Sequence, residues 1–281
     1  MRVGTWRRPP YPARPVSEQP DTPLRMLTIA GSDSGGGAGV QADLKAFARC
    51  GAHGMSAITA LTAQNTLGVS AVHPVPPEMI VEQVRVVAED IGVDAVKVGM
   101  LGTSETIAAV EVALDLLPDV PVVLDPVMVA ESGAVLLDGE ARAALRTRLV
   151  PRATVVTPNV PEARVLAGVG EDVGAKELVE LVHALGPRIA VLTGGHRDEA
   201  TDLFFDGRRL VELRGERYTD GAAHGSGCTH SSVLATGLAG GLDPLTAARQ
   251  AKDLASGAVR DGLRGLGAGP GPVDVHGLAR G

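Results

Sequence analysis

Six short apolar runs, at residues 25–30, 54–61, 94–98, 121–124, 153–157 and 189–193, recur along this 281-residue chain. Each is mostly Val, Ile or Leu, the composition of a buried strand. Helix-length stretches separate them, near 39–50, 77–90, 103–116, 139–148, 161–167 and 174–185. Strand, helix and strand in succession close as a right-handed crossover, so the alternation predicts an α/β fold with a mainly parallel central sheet between helical layers. Residues 44% hydrophobic but only 2% aromatic leave a core of Ala, Val and Leu, which suits a sheet covered on both faces. Residues 201–219 break the rhythm and read as a small β-hairpin turning at Asp206-Gly207, before two final helices at 228–239 and 243–262.

The ends of the chain carry no such pattern. Residues 1–24 are rich in Arg and Pro and read as a disordered extension without the apolar middle of a signal peptide. Residues 25–275 read as one domain and 276–281 as a tail. Of the net charge of −7, the first 25 residues hold five arginines against two acids, which leaves the rest acidic and argues against nucleic acid as the partner. No apolar run is long enough to span a membrane. Two cysteines, 50 and 228, give no disulfide framework, as expected of a protein in a reducing cytoplasm.

Two glycine-rich segments point to a ligand. His224-Gly-Ser-Gly-Cys228 opens an apolar helical stretch, and a helix start carries unpaired N–H groups and partial positive charge. Glycines there let backbone approach an anion closely. The same field predicts a lowered pKa for the Cys228 thiol, placing an anion hole beside a base or nucleophile. The second segment, Gly31-Ser-Asp-Ser-Gly-Gly-Gly-Ala-Gly39, lies between a strand and a helix. No lysine follows a glycine in it and the spacing Gly-x-Gly-x-x-Gly is absent, so neither the phosphate-loop nor the dinucleotide pattern applies. It reads as a loop that seats a small substrate against bare backbone, with Asp33 orienting it. Asp33, Gln64, Met100, Asp125 and Asn159 all follow expected strands, and one crevice at the strand ends would collect them.

These residues have a family likeness. Ala30-Gly-Ser-Asp-Ser-Gly-Gly-Gly-Ala-Gly-Val-Gln-Ala-Asp-Leu-Lys45 resembles the N-terminal signature of the hydroxymethylpyrimidine/phosphomethylpyrimidine kinases of thiamine biosynthesis, in the ribokinase-like superfamily. The resemblance continues in order through Ser56–Val69, Lys97-Val-Gly-Met-Leu101, Leu124-Asp-Pro-Val-Met128, Thr157-Pro-Asn-Val-Pro-Glu162, Gly194-Gly-His196 and the Cys228 turn, covering about residues 25–275. It implies a three-layer ribokinase-like sandwich and transfer of the ATP γ-phosphoryl group, with Mg²⁺, to a hydroxymethylpyrimidine and to its monophosphate. By resemblance, Gly225, Ser226, Gly227 and Cys228 serve catalysis, with backbone N–H groups at the phosphoryl group and Cys228 taking the hydroxyl proton. Gly31, Asp33, Ala38, Asp43, Gln64, Met100 and Val127 surround the pyrimidine. Asn159, Thr193, Gly194 and Gly195 lie at the nucleotide, and Asp125 and Glu162 at the metal. A homodimer is implied by analogy with ribokinase-like relatives.

Several roles stay open at this level. Gln64 either meets the pyrimidine or caps the turn Asn65–Gly68; Asp43 either reaches the site or pairs with a lysine; Asn159 and Glu162 either face magnesium and phosphate or start a helix. The chain also departs from the family pattern: Thr193 and Glu131 stand where lysine is common, His230 replaces an apolar residue, and Ala268 stands where histidine is usual. A missing lysine at 193 leaves arginine or magnesium to neutralise phosphate. Alternatives are a pyridoxal kinase, a non-catalytic pyrimidine sensor, and a metal protein using His224, Cys228 and His230, whose spacing matches no standard zinc pattern.

Overall fold

The computed structural model describes residues 22–129, 133, 135–194, 200–218 and 222–280. Strands and helices alternate as the apolar pattern predicts. In chain order they are β1 Arg25–Asp33, α1 Gly39–Arg49, β2 His53–Asn65, β3 Gly68–Pro74, α2 Pro77–Asp90, β4 Ala95–Val98 and α3 Ser104–Asp115. Then follow β5 Val122–Leu124, α4 Gly139–Ala144, β6 Val155–Val156, α5 Val160–Ala167, α6 Ala175–His183, β7 Ile189–Leu192, β8 Asp202–Phe205, β9 Leu210–Leu213, α7 Ser226–Ala239 and α8 Pro244–Arg260.

The nine strands form one sheet in the order β3-β2-β1-β4-β5-β6-β7-β8-β9. β2, β1, β4, β5, β6 and β7 pair in parallel, while β3 pairs antiparallel with β2 at one edge and the β7–β8 and β8–β9 pairs at the other are antiparallel. Alternation along the strands divides the core in two. Leu27, Ile29, Val96 and Val98 pack with residues of α2, α3, α5 and α6 on one face. Met26, Ala95, Val123 and Val191 pack with Phe47 of α1, Val233 and Leu234 of α7 and Ala251 of α8 on the other. The result is the expected α/β three-layer sandwich, with aromatic packing reduced to Phe47 and Phe204 in the second cluster.

One strand was not expected. β2 runs on to Asn65 and returns as β3 through a turn closed by the Asn65 side chain, whose oxygen accepts from the Leu67 and Gly68 amides. Most of β3 is exposed, so it carries no apolar face to announce itself, and Pro74 ends it as edge strands tolerate. The anticipated hairpin at the other edge is present as β8 and β9, with Asp206 accepting from the amides of Arg208 and Arg209 at its turn. Among the described residues no helix is long and apolar enough to cross a membrane.

Strand order reverses at β1: its chain successor β2 lies on one side and β4 on the other. The loops that leave β1 and β4 therefore diverge and leave a crevice at their carboxyl ends, the general ligand position in such sheets.

Candidate active site

A cavity of about 920 Å³ opens at that reversal. Both glycine-rich segments line it, and they are packed backbone to backbone. Gly225 has φ +84, and a Cβ on it would lie 1.9 Å from the Gly37 carbonyl oxygen. A Cβ on Gly37 would in turn lie 2.2 Å from the His224 ring. No side chain fits on either side of this contact. α7 starts immediately after it, with Ser226, Gly227 and Cys228 as its first three residues. Ser226 spends its N–H on the Ala223 carbonyl, so the amides of Gly227 and Cys228 are the helix-start donors left for a ligand.

Asp33 departs from its expected role. It lies at the cavity wall, but its carboxylate accepts from the amides of Gly35, Gly37 and Ala38 at 2.8–3.0 Å and meets His224 Nε2 at 3.1 Å. These contacts fold the loop, a structural task that the sequence reading did not give to Asp33. Burial pushes this carboxyl upward, yet the His224 contact and the Ala38 and Gly35 amides outweigh burial and hold it below the ordinary range.

Asp43 is a second correction. It is fully buried behind the cavity wall, 2.8 Å from the equally buried Lys97 ammonium, and it accepts from Thr28 and Ser232 hydroxyls. The lysine-paired alternative holds, though inside the protein and not on its surface. Gly31, Ala38, Gln64, Met100 and Val127 do line the cavity. Met100 folds over Gly31, where a Cβ would sit 2.5 Å from its methyl carbon. Because Asn65 itself closes the neighbouring turn, the Gln64 amide has no capping duty there. Among the described residues its oxygen accepts from Thr62, at 3.2 Å, and its NH₂ has no partner there.

Cys228 sits half-buried at the cavity floor, and its thiol is not lowered as a helix start alone predicts. Burial pushes it up to about 12. Lys97 pulls in the opposite direction, while Asp43 and Asp125 add to the rise. Loss of water around the sulfur outweighs the helix terminus, which is screened and short-ranged by comparison.

Asp125 and Glu162 share the next wall. Asp125 accepts from the Ser231 hydroxyl at 3.2 Å, and burial raises its pKa against the pull of Lys97. Glu162 accepts from the Asn159 and Met128 amides, and Asn159 accepts from the Glu162 amide, a reciprocal cap on α5. The helix-start reading of this pair is thus realised, while Glu162 still faces the cavity. Burial and then the Asp125 charge push its carboxyl up to about 8. Two hard carboxylates that repel each other suit a divalent cation. Among the described residues no group of three or more His, Cys, Asp or Glu is placed to enclose one. A cation that keeps water and phosphate ligands, as Mg²⁺ does, fits that set.

On the far side, Thr193 lines the cavity but Gly194 does not. The Gly194 amide donates to Asp202 at 2.8 Å, and a Cβ there would lie 1.9 Å from the Thr201 carbonyl oxygen. The Thr201 backbone by itself requires glycine at this position. Gly195 and Glu131 lie outside the described residues.

One cavity residue, Lys252, escaped the sequence reading, and two residues named in it, His230 and Lys97, take surroundings that the sequence did not show. Lys252 of α8 lines the same cavity as Thr193 and is bound to Asp202 at 2.8 Å. His230 lies 3.7 Å from Asp202 and is 4% exposed, and burial lowers its pKa, leaving it neutral. Among the described residues, His224, Cys228 and His230 form no group placed to hold a metal ion. Lys97 had a legible signal, a charge inside the apolar run Ala95-Val-Lys-Val98, whereas nothing in α8 distinguishes Lys252 from a surface lysine.

Known proteins resemble the chain closely. The family model described as phosphomethylpyrimidine kinase matches residues 33–274. A hydroxymethylpyrimidine/phosphomethylpyrimidine kinase of Streptomyces coelicolor is 47% identical over 267 residues, 93% of this chain and 97% of the relative. A thiamine biosynthesis bifunctional protein of Geobacter sulfurreducens is 45% identical over 273 residues, 95% of this chain and 53% of the relative. The solved structure of an ADP complex of Bacillus subtilis pyridoxal kinase matches with a TM-score of 0.84 at 35% identity, covering 92% of this chain and 99% of that one.

Proposed function

The chain belongs to the phosphomethylpyrimidine kinase family, and from that premise we propose how its residues carry the γ-phosphoryl group of ATP to the hydroxymethyl group of 4-amino-5-hydroxymethyl-2-methylpyrimidine, and then to the phosphate of the product. The observation that carries this reading is the opposition of two surfaces in one cavity. Gln64, Met100, Val127 and Gly31 form a flat, mostly apolar seat with one amide, and the α7 N-terminus with Cys228 faces it.

Phosphoryl transfer asks the protein for position and for charge stabilisation more than for covalent chemistry. The Gln64 amide gives a ring nitrogen and an exocyclic amine their donor and acceptor. Met100 and Val127 sandwich the ring and exclude water. The Gly227 and Cys228 amides donate to the equatorial oxygens of the group in transfer, in the manner of an oxyanion hole. Lys252, held by Asp202, lines the same cavity as Thr193 and suits the phosphate chain of the nucleotide. Cys228 takes the hydroxyl proton at Sγ as thiolate. Burial opposes that form, and Lys97 and the Gly39 amide favour it.

Asp125 and Glu162 would hold Mg²⁺ through oxygen, and the ion would neutralise charge on the phosphates. A homodimer in the cytoplasm is our working form. Exposed Leu61, Leu67 and Val72 along β2 and β3 support an interface, and two free cysteines support a reducing compartment.

Pyridoxal is the competing acceptor, favoured by the likeness to pyridoxal kinase structures. Incubation with Mg-ATP and either compound, followed by mass spectrometry, separates them. Mono- and diphosphate of the pyrimidine are expected. Faster turnover of pyridoxal, or binding without product, would overturn the reading.

A further inference from the structure

The mechanism above draws on Lys97, which is one half of an ion pair sealed inside the domain. Lys97 and Asp43 have no exposed side-chain surface, and their charges lie 2.8 Å apart. Removing two charges from water costs several kcal/mol per ion, and a hydrophobic pair of equal volume commonly does as well or better, so stability alone is a weak reason for this pair. Its position supplies another. Lys97 and Thr28 are partners in the β1–β4 register and face the layer of α1 and α7. Thr28 donates to Asp43 from the sheet, and Ser232 donates to it from α7, one helical turn beyond Cys228. The ammonium lies under Gly99, where a Cβ would be 2.8 Å from Nζ, and the next residue, Met100, lines the cavity. Burial raises both the Cys228 thiol and the Asp125 carboxyl, and Lys97 opposes that rise at each, while Asp43 adds to it.

We propose that Lys97 is a positioning residue: clamped by Asp43 beneath Gly99, its ammonium holds a fixed positive charge under the floor where Cys228 and the transferring phosphoryl group meet. In a dry interior that charge is felt at a distance that water would screen. The inference rests on the Cys228 turn being the phosphoryl site, and it gives the pair a role in setting the charge state of the sulfur. The charged groups acting on Cys228 are Lys97 from β4, Asp43 from α1 and Asp125 beyond β5, together with the Gly39 amide from the start of α1.

The test is alkylation of Cys228 by iodoacetamide between pH 7 and 10, followed by mass spectrometry in a Cys50→Ala background. Lys97→Met should slow the reaction about tenfold at a given pH and Asp43→Asn should speed it about tenfold, one unit of thiol pKa in opposite directions. A purely structural pair predicts otherwise, because loosening the fold exposes the sulfur and speeds both. Equal signs, or no change, would overturn the proposal. Should either single variant fail to fold, Lys97→Met/Asp43→Leu removes both charges and should still react more slowly than the parent; an equal or faster rate would overturn it. Alkylation does not require turnover. Shifted rates in a protein that phosphorylates nothing would therefore sink the kinase reading and leave the hold of Lys97 on Cys228 intact.

Discussion

Asp33 and His224, 191 positions apart in sequence, meet at 3.1 Å and join the two glycine-rich segments into one wall of the cavity. Asp33 holds its own loop through three amides, and His224 is the residue that enters the Gly225 turn. The contact fixes the loop after β1 against the start of α7, so the two glycine-rich segments keep their separation.

Asp33→Asn tests that staple. The native carboxyl titrates below its unfolded value, so its contribution is present above the unfolded pKa and is lost as pH falls through the folded one. The variant should cost about 1–3 kcal/mol at pH 7, and the gap to the parent should close below about pH 4. Urea melts across pH 3 to 7 measure it. A gap that persists unchanged in acid would show that charge is not what holds the loop.

Cys228→Ala should abolish most turnover while pyrimidine binding by calorimetry stays within about threefold, since the loss belongs to the transition state. If the thiolate is the acting form, with the thiol pushed up to about 12 in the free protein, kcat/KM of the parent should rise about tenfold per pH unit between pH 7 and 9. A flat profile would reduce Cys228 to an orienting thiol.

Gln64→Ala removes the amide that no turn requires. The KM for the pyrimidine should rise about tenfold or more, about 1.4 kcal/mol, with the KM for ATP nearly unchanged. Steady-state kinetics with each substrate varied in turn decide it, and equal losses for both would remove the assigned contact.

Lys252→Gln keeps a hydrogen bond to Asp202 and deletes the charge. It should raise the KM for ATP about tenfold and leave that for the pyrimidine alone, with the effect shrinking in high salt. An unaltered ATP dependence would confine Lys252 to holding Asp202 and β8.

Much of this protein was legible in the chain. Apolar runs and their spacing are local properties, and they determined the parallel strands, the helices between them and the Asp206-Gly207 hairpin. The motif order determined the family, and glycines 37 and 225 announced backbone that must come close to something. Which atoms came close was another matter. Asp33 turned from a substrate contact into a loop staple, Asp43 withdrew behind the wall to Lys97, and Gly194 proved to be packed on Thr201. β3 gave no signal because an exposed edge strand needs no apolar face.

The charge state of the site was decided only by the tertiary structure. A helix start lowers a thiol pKa, and sequence shows the helix start; burial raises it, and burial is the sum of everything packed around Cys228. The same holds for Glu162, pushed up to about 8 by burial and by an Asp125 that is 37 residues away in the chain. Hydrophobic pattern is written one residue at a time, whereas desolvation and the pairing of distant charges exist only after the chain has closed.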